Sequence, residues 1–190
     1  MAEQVYRIGV VSDTHGLVRD EVREVLKTCQ VILHGGDINR REILEELKAI
    51  APLFVVRGNN DKEWAKELPE TLSATVCGLN IFMVHNRKHV PEDLGDADVV
   101  VFGHSHRYEE KWEQGRLWLN PGSCGPRRFG QPITMAVIET AVDGAKGAAG
   151  NGAEIAAGRG AEIAAVHGRV LRVDRVDIPH ESGGKAGKKM

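Results

Sequence analysis

The chain has 190 residues, 42% apolar and 27% charged, which suits one soluble domain with length enough for a substantial core. Its 25 basic and 27 acidic residues leave a net charge of −2, so charge gives no indication of a nucleic-acid partner. No apolar stretch approaches the roughly 20 residues of a membrane span. Residues 1–7 carry no signal-peptide core, and Cys29, Cys77 and Cys124 form neither a CxxC pair nor a disulfide framework; a reducing cytoplasm is the expected location.

In chain order, a strand is expected over residues 7–12, then a helix near residues 19–27 with Val22, Val25 and Leu26 on one face. The apolar run from Val31 and a helix over residues 41–48, with Ile43, Leu44 and Leu47 on one side, repeat the pattern before Pro52 and a third run from Leu53. Two successive βα units predict right-handed crossovers and parallel strands. From residue 71 the texture changes to hairpins, one turning at Gly78 and one at Gly115, and residues 133–139 and 169–178 alternate as half-exposed strands. The predicted fold class is α/β: two mixed β-sheets packed face to face with helices on the outer sides, a four-layer αββα sandwich. Residues 1–180 read as one domain and 181–190 as a disordered tail. Between the last two strands, residues 142–168 are rich in Gly and Ala and repeat Ala-Glu-Ile-Ala-Ala at 153–157 and 161–165. Helical stretches broken at Gly158 and Gly160 read as a mobile insertion, with a short partner-binding element as the alternative.

Five of the apolar runs end directly in metal-ligand chemistry: Asp13 and His15, Asp37, Asn59 and Asp61, His85, and His104 and His106. Strand C-termini that share a sheet edge open onto one ligand site, so five such ends predict a single metal centre. Carboxylate oxygen and neutral imidazole suit Mn, Fe or Zn better than thiolate-loving ions.

Asp13-x-His15, Gly36-Asp37, Gly58-Asn59-x-Asp61, His85 and Gly103-His104-x-His106, in this order, resemble the five metal motifs of the calcineurin-like metallophosphoesterases. Together with the segment Asn120-Pro-Gly-Ser123, they are similar to the small prokaryotic YfcE-like phosphodiesterase branch. The resemblance implies two divalent cations per chain, Mn foremost, with Fe, Zn, Ni or Mg as alternatives. Asp13, His15, Asp37 and His106 would hold the first, and Asp37 as bridge, Asn59, His85 and His104 the second. It implies a two-metal-activated hydroxide that attacks a small phosphodiester or phosphomonoester, with Asp37, Asn59 and His104 serving catalysis as well as metal binding. Asp61 would sit behind the ligands and fix them or their loop, and it could also cap the segment that starts at Lys62; Arg127 and Arg128 could meet the phosphate bidentately.

Two positions depart from the family pattern. Asn60 stands at the superfamily's general-acid histidine, and an amide cannot protonate a leaving group at neutral pH. Asn86 replaces the glycine after the fourth motif, which makes His85 the ligand most open to rearrangement. The alternative function is a scaffold of the same fold that binds protein partners, as the vacuolar-sorting subunit of retromer does in this superfamily. A homodimer is also compatible, with Trp112 and Trp118 as candidate apolar contacts.

Overall fold

The computed structural model describes residues 5–142, 156–158, 161–166 and 169–179. The first half runs β1 (Val5–Val11), α1 (Asp20–Leu26), β2 (Val31–His34), α2 (Arg41–Ile50), β3 (Leu53–Val55), β4 (Thr71–Val76) and β5 (Leu79–Val84). It continues as β6 (Val99–Val101), β7 (Tyr108–Glu113), β8 (Arg116–Pro121), β9 (Thr134–Val142), β10 (Ala156–Gly158), β11 (Ala161–Val166) and β12 (Arg169–Asp177).

These strands form two mixed sheets. The larger has the order β10-β11-β12-β9-β1-β2-β3 and the smaller β4-β5-β6-β8-β7. In the larger, β1, β2 and β3 are parallel, as the βα units require, and β9 joins β1 antiparallel with Ile8 opposite Ile138. In the smaller, β5, β6 and β8 are parallel, and tight hairpins close each edge. Both hairpins turn on two residues at positive φ, Cys77-Gly78 and Gln114-Gly115, the backbone that matches the strand twist.

The facing surfaces make the main core. Ile8, Val10, Leu33, Ile138 and Val173 from one sheet pack with Ile81, Met83, Val99, Val101, Leu117 and Leu119 from the other. Burying each such side chain stabilises the fold by roughly 1.5–3 kcal/mol before entropy is counted. On the outer face of the larger sheet, Val22 and Leu26 of α1 and Ile43, Leu44 and Leu47 of α2 cover Val11, Ile32, Met135 and Val137. Phe82, Val100, Phe102 and Trp118 on the opposite outer face are covered by Val90 and Leu94, and the only helical piece described there is a 3₁₀ turn, Arg87–His89. That layer is thin because residues 87–98 offer no sustained helical apolar stripe.

Two further expectations meet a different arrangement. Within 142–168 the described residues are strands, not helices: Ala161–Val166 pairs antiparallel with β12 and Ala156–Gly158 with β11. Neighbour pairing there overrides the helix propensity of Ala and Glu; the rest of that segment and the 181–190 tail lie outside the described residues. Trp112 packs against the core between the sheets, whereas Trp118 lies in the outer cluster beside Phe102. Cross-strand alternation thus puts the two rings on opposite faces, and they do not form one apolar patch. No helix among the described residues is long and apolar enough to cross a membrane.

Candidate metal centre

The five ligand-bearing strand ends belong to two sheets, a division the runs themselves do not reveal. β1, β2 and β3 carry Asp13 with His15, Asp37 and Asn59 at their C-terminal ends; β5 and β6 carry His85 and His104 with His106. Each chain turns sharply just beyond its strand. Asp13, His15, Asp37, Asn39, His104 and His106 all have φ between 44° and 69°. That left-handed region disfavours side-chain-bearing residues by roughly 1–2 kcal/mol each, and strain of this kind collects at functional sites.

The turns bring the side chains together. Asp13 Oδ1 lies 3.2 Å from His106 Nε2 and 3.9 Å from His15 Nε2. Asp37 Oδ2 lies 3.9 Å from His15 Nε2, while its Oδ1 lies 3.4 Å from His85 Nε2. One carboxylate therefore faces a histidine on each side. Asn59 Oδ1 continues the line, 3.1 Å from His85 Nε2 and 2.9 Å from His104 Nδ1. Ligand atoms of Asp13, His15 and His106 lie within 4.8 Å of one another, and so do those of Asp13, Asp37 and His85. Asp13, His15, Asp37, His85 and His106 are buried, and Asn59 and His104 open the row to solvent.

This donor set fits divalent cations. Asp13 Oδ1 is buried and accepts no hydrogen bond, a costly position for a carboxylate oxygen unless a cation meets it. The His15 and His106 Nε2 atoms converge to 3.2 Å beside it. Two carboxylates, four imidazoles and an amide oxygen are hard to borderline ligands.

Groups behind the ligands set their orientation. His85 Nδ1–H donates to the Gly35 carbonyl at 2.7 Å, which leaves Nε2 bare toward Asp37 and Asn59. Ser12 Oγ and the His104 N–H both donate to Asp13 Oδ2. Asn60 donates to Asp37 twice, from its backbone N–H to Oδ1 at 2.8 Å and from Nδ2 to Oδ2 at 2.6 Å. Asp61 accepts four backbone N–H groups: those of Asp37 and Gly58 on Oδ2, and those of Ile38 and Asn39 on Oδ1. It ties the β2 loop to the β3 loop and does not cap the 3₁₀ turn that follows, whose cap makes no side-chain hydrogen bond.

Burial works against ionisation of Asp37, yet the His85 imidazole and the Asn60 N–H groups hold its carboxyl well below the usual carboxylate range. Burial pushes His85 down, but the neighbouring carboxylates of Asp37 and Asp13 outweigh this and raise it. His15 is lowered by burial and by the positive charge of Arg128. A bound cation competes with protons for the same lone pairs.

Two motif glycines have a packing reason. A Cβ on Gly58 would fall 2.1 Å from Asp37 N and 2.2 Å from Asp37 Oδ1; one on Gly103 would fall 2.0 Å from Ser12 Oγ. Each motif's glycine makes room for the ligand shell of another motif. Asn86, by contrast, has φ −107° and caps the 3₁₀ turn by accepting from Lys88 N at 3.0 Å. That backbone is open to any residue, so the missing glycine does not displace His85.

Several further side chains support the site. His34 is buried, accepts from Gly36 N on Nδ1 and so donates from Nε2 to Thr14 Oγ1; burial lowers its pKa to about 4. Asn39 meets His15 Nδ1 at 3.2 Å through Nδ2, while its own Oδ1 is buried without a partner. Exchanging the amide O and N satisfies that oxygen and leaves His15 Nε2 bare for a metal. Asn120 Nδ2 donates to the Gly103 carbonyl and Ser123 Oγ to the Asp13 carbonyl, clamping the turn after β8 onto two ligand loops. Of these, Asn39 was not legible in advance; an Asn two residues after the Gly-Asp motif, a residue type that tolerates left-handed backbone, is the local signal that could have found it. Arg127 and Arg128 are exposed on the loop after that turn. Beside Asn59, His85 and His104 runs a groove of about 460 Å³, bounded further out by Arg57 with its ion-pair partner Glu70, Asn86 and His89.

Known proteins resemble this chain in sequence and in fold. A probable metallophosphoesterase of Methanothermobacter thermautotrophicus is 29% identical over 154 residues, 73% of this chain and 87% of its own length. A phosphodiesterase of Methanocaldococcus jannaschii is 26% identical over 159 residues, covering 70% and 93%. The zinc complex of Vps29 from Entamoeba histolytica shares the fold at TM-score 0.60 and 22% identity, over 90% of this chain and 98% of that one. Residues 6–143, the stretch that carries all five ligand loops, match the model of the calcineurin-like phosphoesterase superfamily domain, and the chain belongs to that superfamily.

Proposed function

We propose that this protein hydrolyses phosphodiesters, or else small phosphomonoesters, with two divalent cations, Mn foremost, held along the row of candidate ligands. The observation that carries this reading is Asp37, whose two oxygens face His15 on one side and His85 on the other. Asp13, His15, Asp37 and His106 would hold one cation, and Asp37, Asn59, His85 and His104 the other. Such a pair supplies Lewis acidity toward phosphate oxygens and lowers the pKa of a coordinated water.

The chain's own groups prepare that site. His85 is fixed in the liganding tautomer by Gly35, and Asp13 and Asp37 are held by Ser12 and Asn60. The exposed end at Asn59 and His104 admits substrate, and the adjoining groove has space for one ester substituent. Asn60 acts here as an orienting donor to Asp37, so the leaving oxygen must draw its proton from elsewhere. Three free cysteines, two of them buried, support our assignment to a reducing compartment, the cytoplasm. The test is turnover of bis(p-nitrophenyl) phosphate by Mn²⁺-loaded protein. Turnover that Asp37→Ala abolishes supports the enzyme; absent turnover over a range of divalent metals contradicts it.

The second reading, a partner-binding scaffold, draws on the likeness to Vps29 over 90% of the chain. Metal binding does not separate the two readings, because that relative is itself a zinc complex. Turnover does.

A further inference from the structure

The most exposed large apolar side chain described stands beside the metal centre. Phe129 is 80% exposed, and its ring centroid lies 5.5 Å from that of His106 at a 60° tilt. It also occupies a backbone position that resists it. Phe129 has φ 53° and Gly130 φ 67°, and Gln131 N donates to the Arg128 carbonyl at 3.0 Å. This closes a turn with both central residues in the left-handed region, where Asn, Asp and Gly are strongly preferred. A bulky side chain there is a genuine outlier. Neither solvent exposure nor backbone geometry favours Phe, so folding does not account for it.

The turn is anchored where it leaves the site. Arg19 Nε donates to the Gly125 carbonyl at 3.1 Å, and Ser123 bridges to Ile133 just beyond the turn. Arg128, at the turn's first corner, is close enough for its charge to act on His15. A cation and an open aromatic face thus stand together next to His15 and His106. The first suits a phosphate oxygen, and the second suits a flat π-system.

We propose that the Arg128–Phe129 turn is a substrate-selecting element that stacks a planar aromatic ring, aryl or nucleobase, carried by the phosphoester. This inference rests on the phosphoesterase reading and narrows its substrate class. Ring stacking on one aromatic side chain, judged by alanine substitution, corresponds to roughly five- to hundredfold in affinity.

The test uses non-hydrolysable probes on Mn²⁺-loaded protein: phenylphosphonate, cyclohexylphosphonate and methylphosphonate, with affinities from isothermal titration calorimetry. The wild type should prefer the phenyl probe over both others by at least fivefold. Phe129→Ala should erase that preference while methylphosphonate affinity and Mn²⁺ stoichiometry stay unchanged, and Phe129→Trp should keep it. Equal affinity of the wild type for all three probes would overturn the proposal alone. Failure of all three to bind, with no ester turnover, would overturn it together with the phosphoesterase reading. A preference that survives Phe129→Ala would assign ring recognition to another surface and also refute it.

Discussion

Replacing Asp61 tests how the centre is held, because its hydrogen bonds run to loop backbone and not to the side chain of a candidate ligand. Its carboxylate accepts the backbone N–H groups of Asp37, Ile38, Asn39 and Gly58 at 2.7–3.0 Å, and it is buried. Hydrogen bonds to a charged group contribute about 1.5–3 kcal/mol each. Four of them would nominally sum to roughly twice the effect expected, since the effects are not additive and water can re-enter the space left by Asp61→Ala. The expected loss is about 4 kcal/mol, a large share of the roughly 5–15 kcal/mol that holds a typical domain together. Asp61→Asn should not rescue it. Its one oxygen keeps two donors, and its NH₂ then faces the other two N–H groups, so a loss of about 3 kcal/mol is expected. The assay is urea unfolding at pH 7 in EDTA, paired with Mn²⁺ titration at low temperature, where the variants stay folded. Both should lose Mn²⁺ affinity, because the loop that carries Asp37 is released. Losses below about 1 kcal/mol in both variants would refute the reasoning.

Asn60→His should raise kcat/KM for alkyl esters by up to about 10²–10⁴-fold, the usual worth of a general acid, with much less gain on nitrophenyl esters. Equal gains along a leaving-group series would contradict the view that a proton donor is missing there. Gly58→Ala forces a methyl to 2.1 Å from Asp37 N, a backbone atom that cannot swing away. Thermal unfolding should report about 2 kcal/mol of destabilisation with weakened Mn²⁺ binding, and a silent substitution would sink the packing argument. His34 is buried, and its pKa drops from 6.5 to about 4. Between those values the unfolded chain binds the proton and the folded chain does not, so stability falls as pH drops from 6.5 toward 4. At about 1.36 kcal/mol per pH unit this amounts to roughly 3 kcal/mol. In EDTA-treated protein, His34→Gln should flatten that part of the stability profile; an unchanged slope would assign it to other groups.

The convergence of the candidate ligands was legible because each follows an apolar run directly, and a buried strand fixes where its C-terminal end must open. The same runs could not say that β1 to β3 and β5 to β6 belong to different sheets, since parallel buried strands look alike in either. Supporting contacts such as Ser12 to Asp13 or Asn60 to Asp37 depend on loop paths that only the folded chain defines. The 161–165 copy of Ala-Glu-Ile-Ala-Ala favours helix by its own composition, and pairing with its neighbours β10 and β12 makes it a strand. Asn86 was read as a missing glycine, but its φ of −107° needs none. Phe129 gave no periodic signal at all, because its meaning lies in a turn that holds an aromatic ring beside His106.

The central claim is that one carboxylate, Asp37, joins two metal sites into a single centre. Metal analysis after equilibrium dialysis against Mn²⁺, on the wild type and on Asp37→Ala, tests it most directly. The account predicts close to two Mn²⁺ per wild-type chain and loss of both in the variant. One Mn²⁺ per chain, retained in Asp37→Ala, would contradict it.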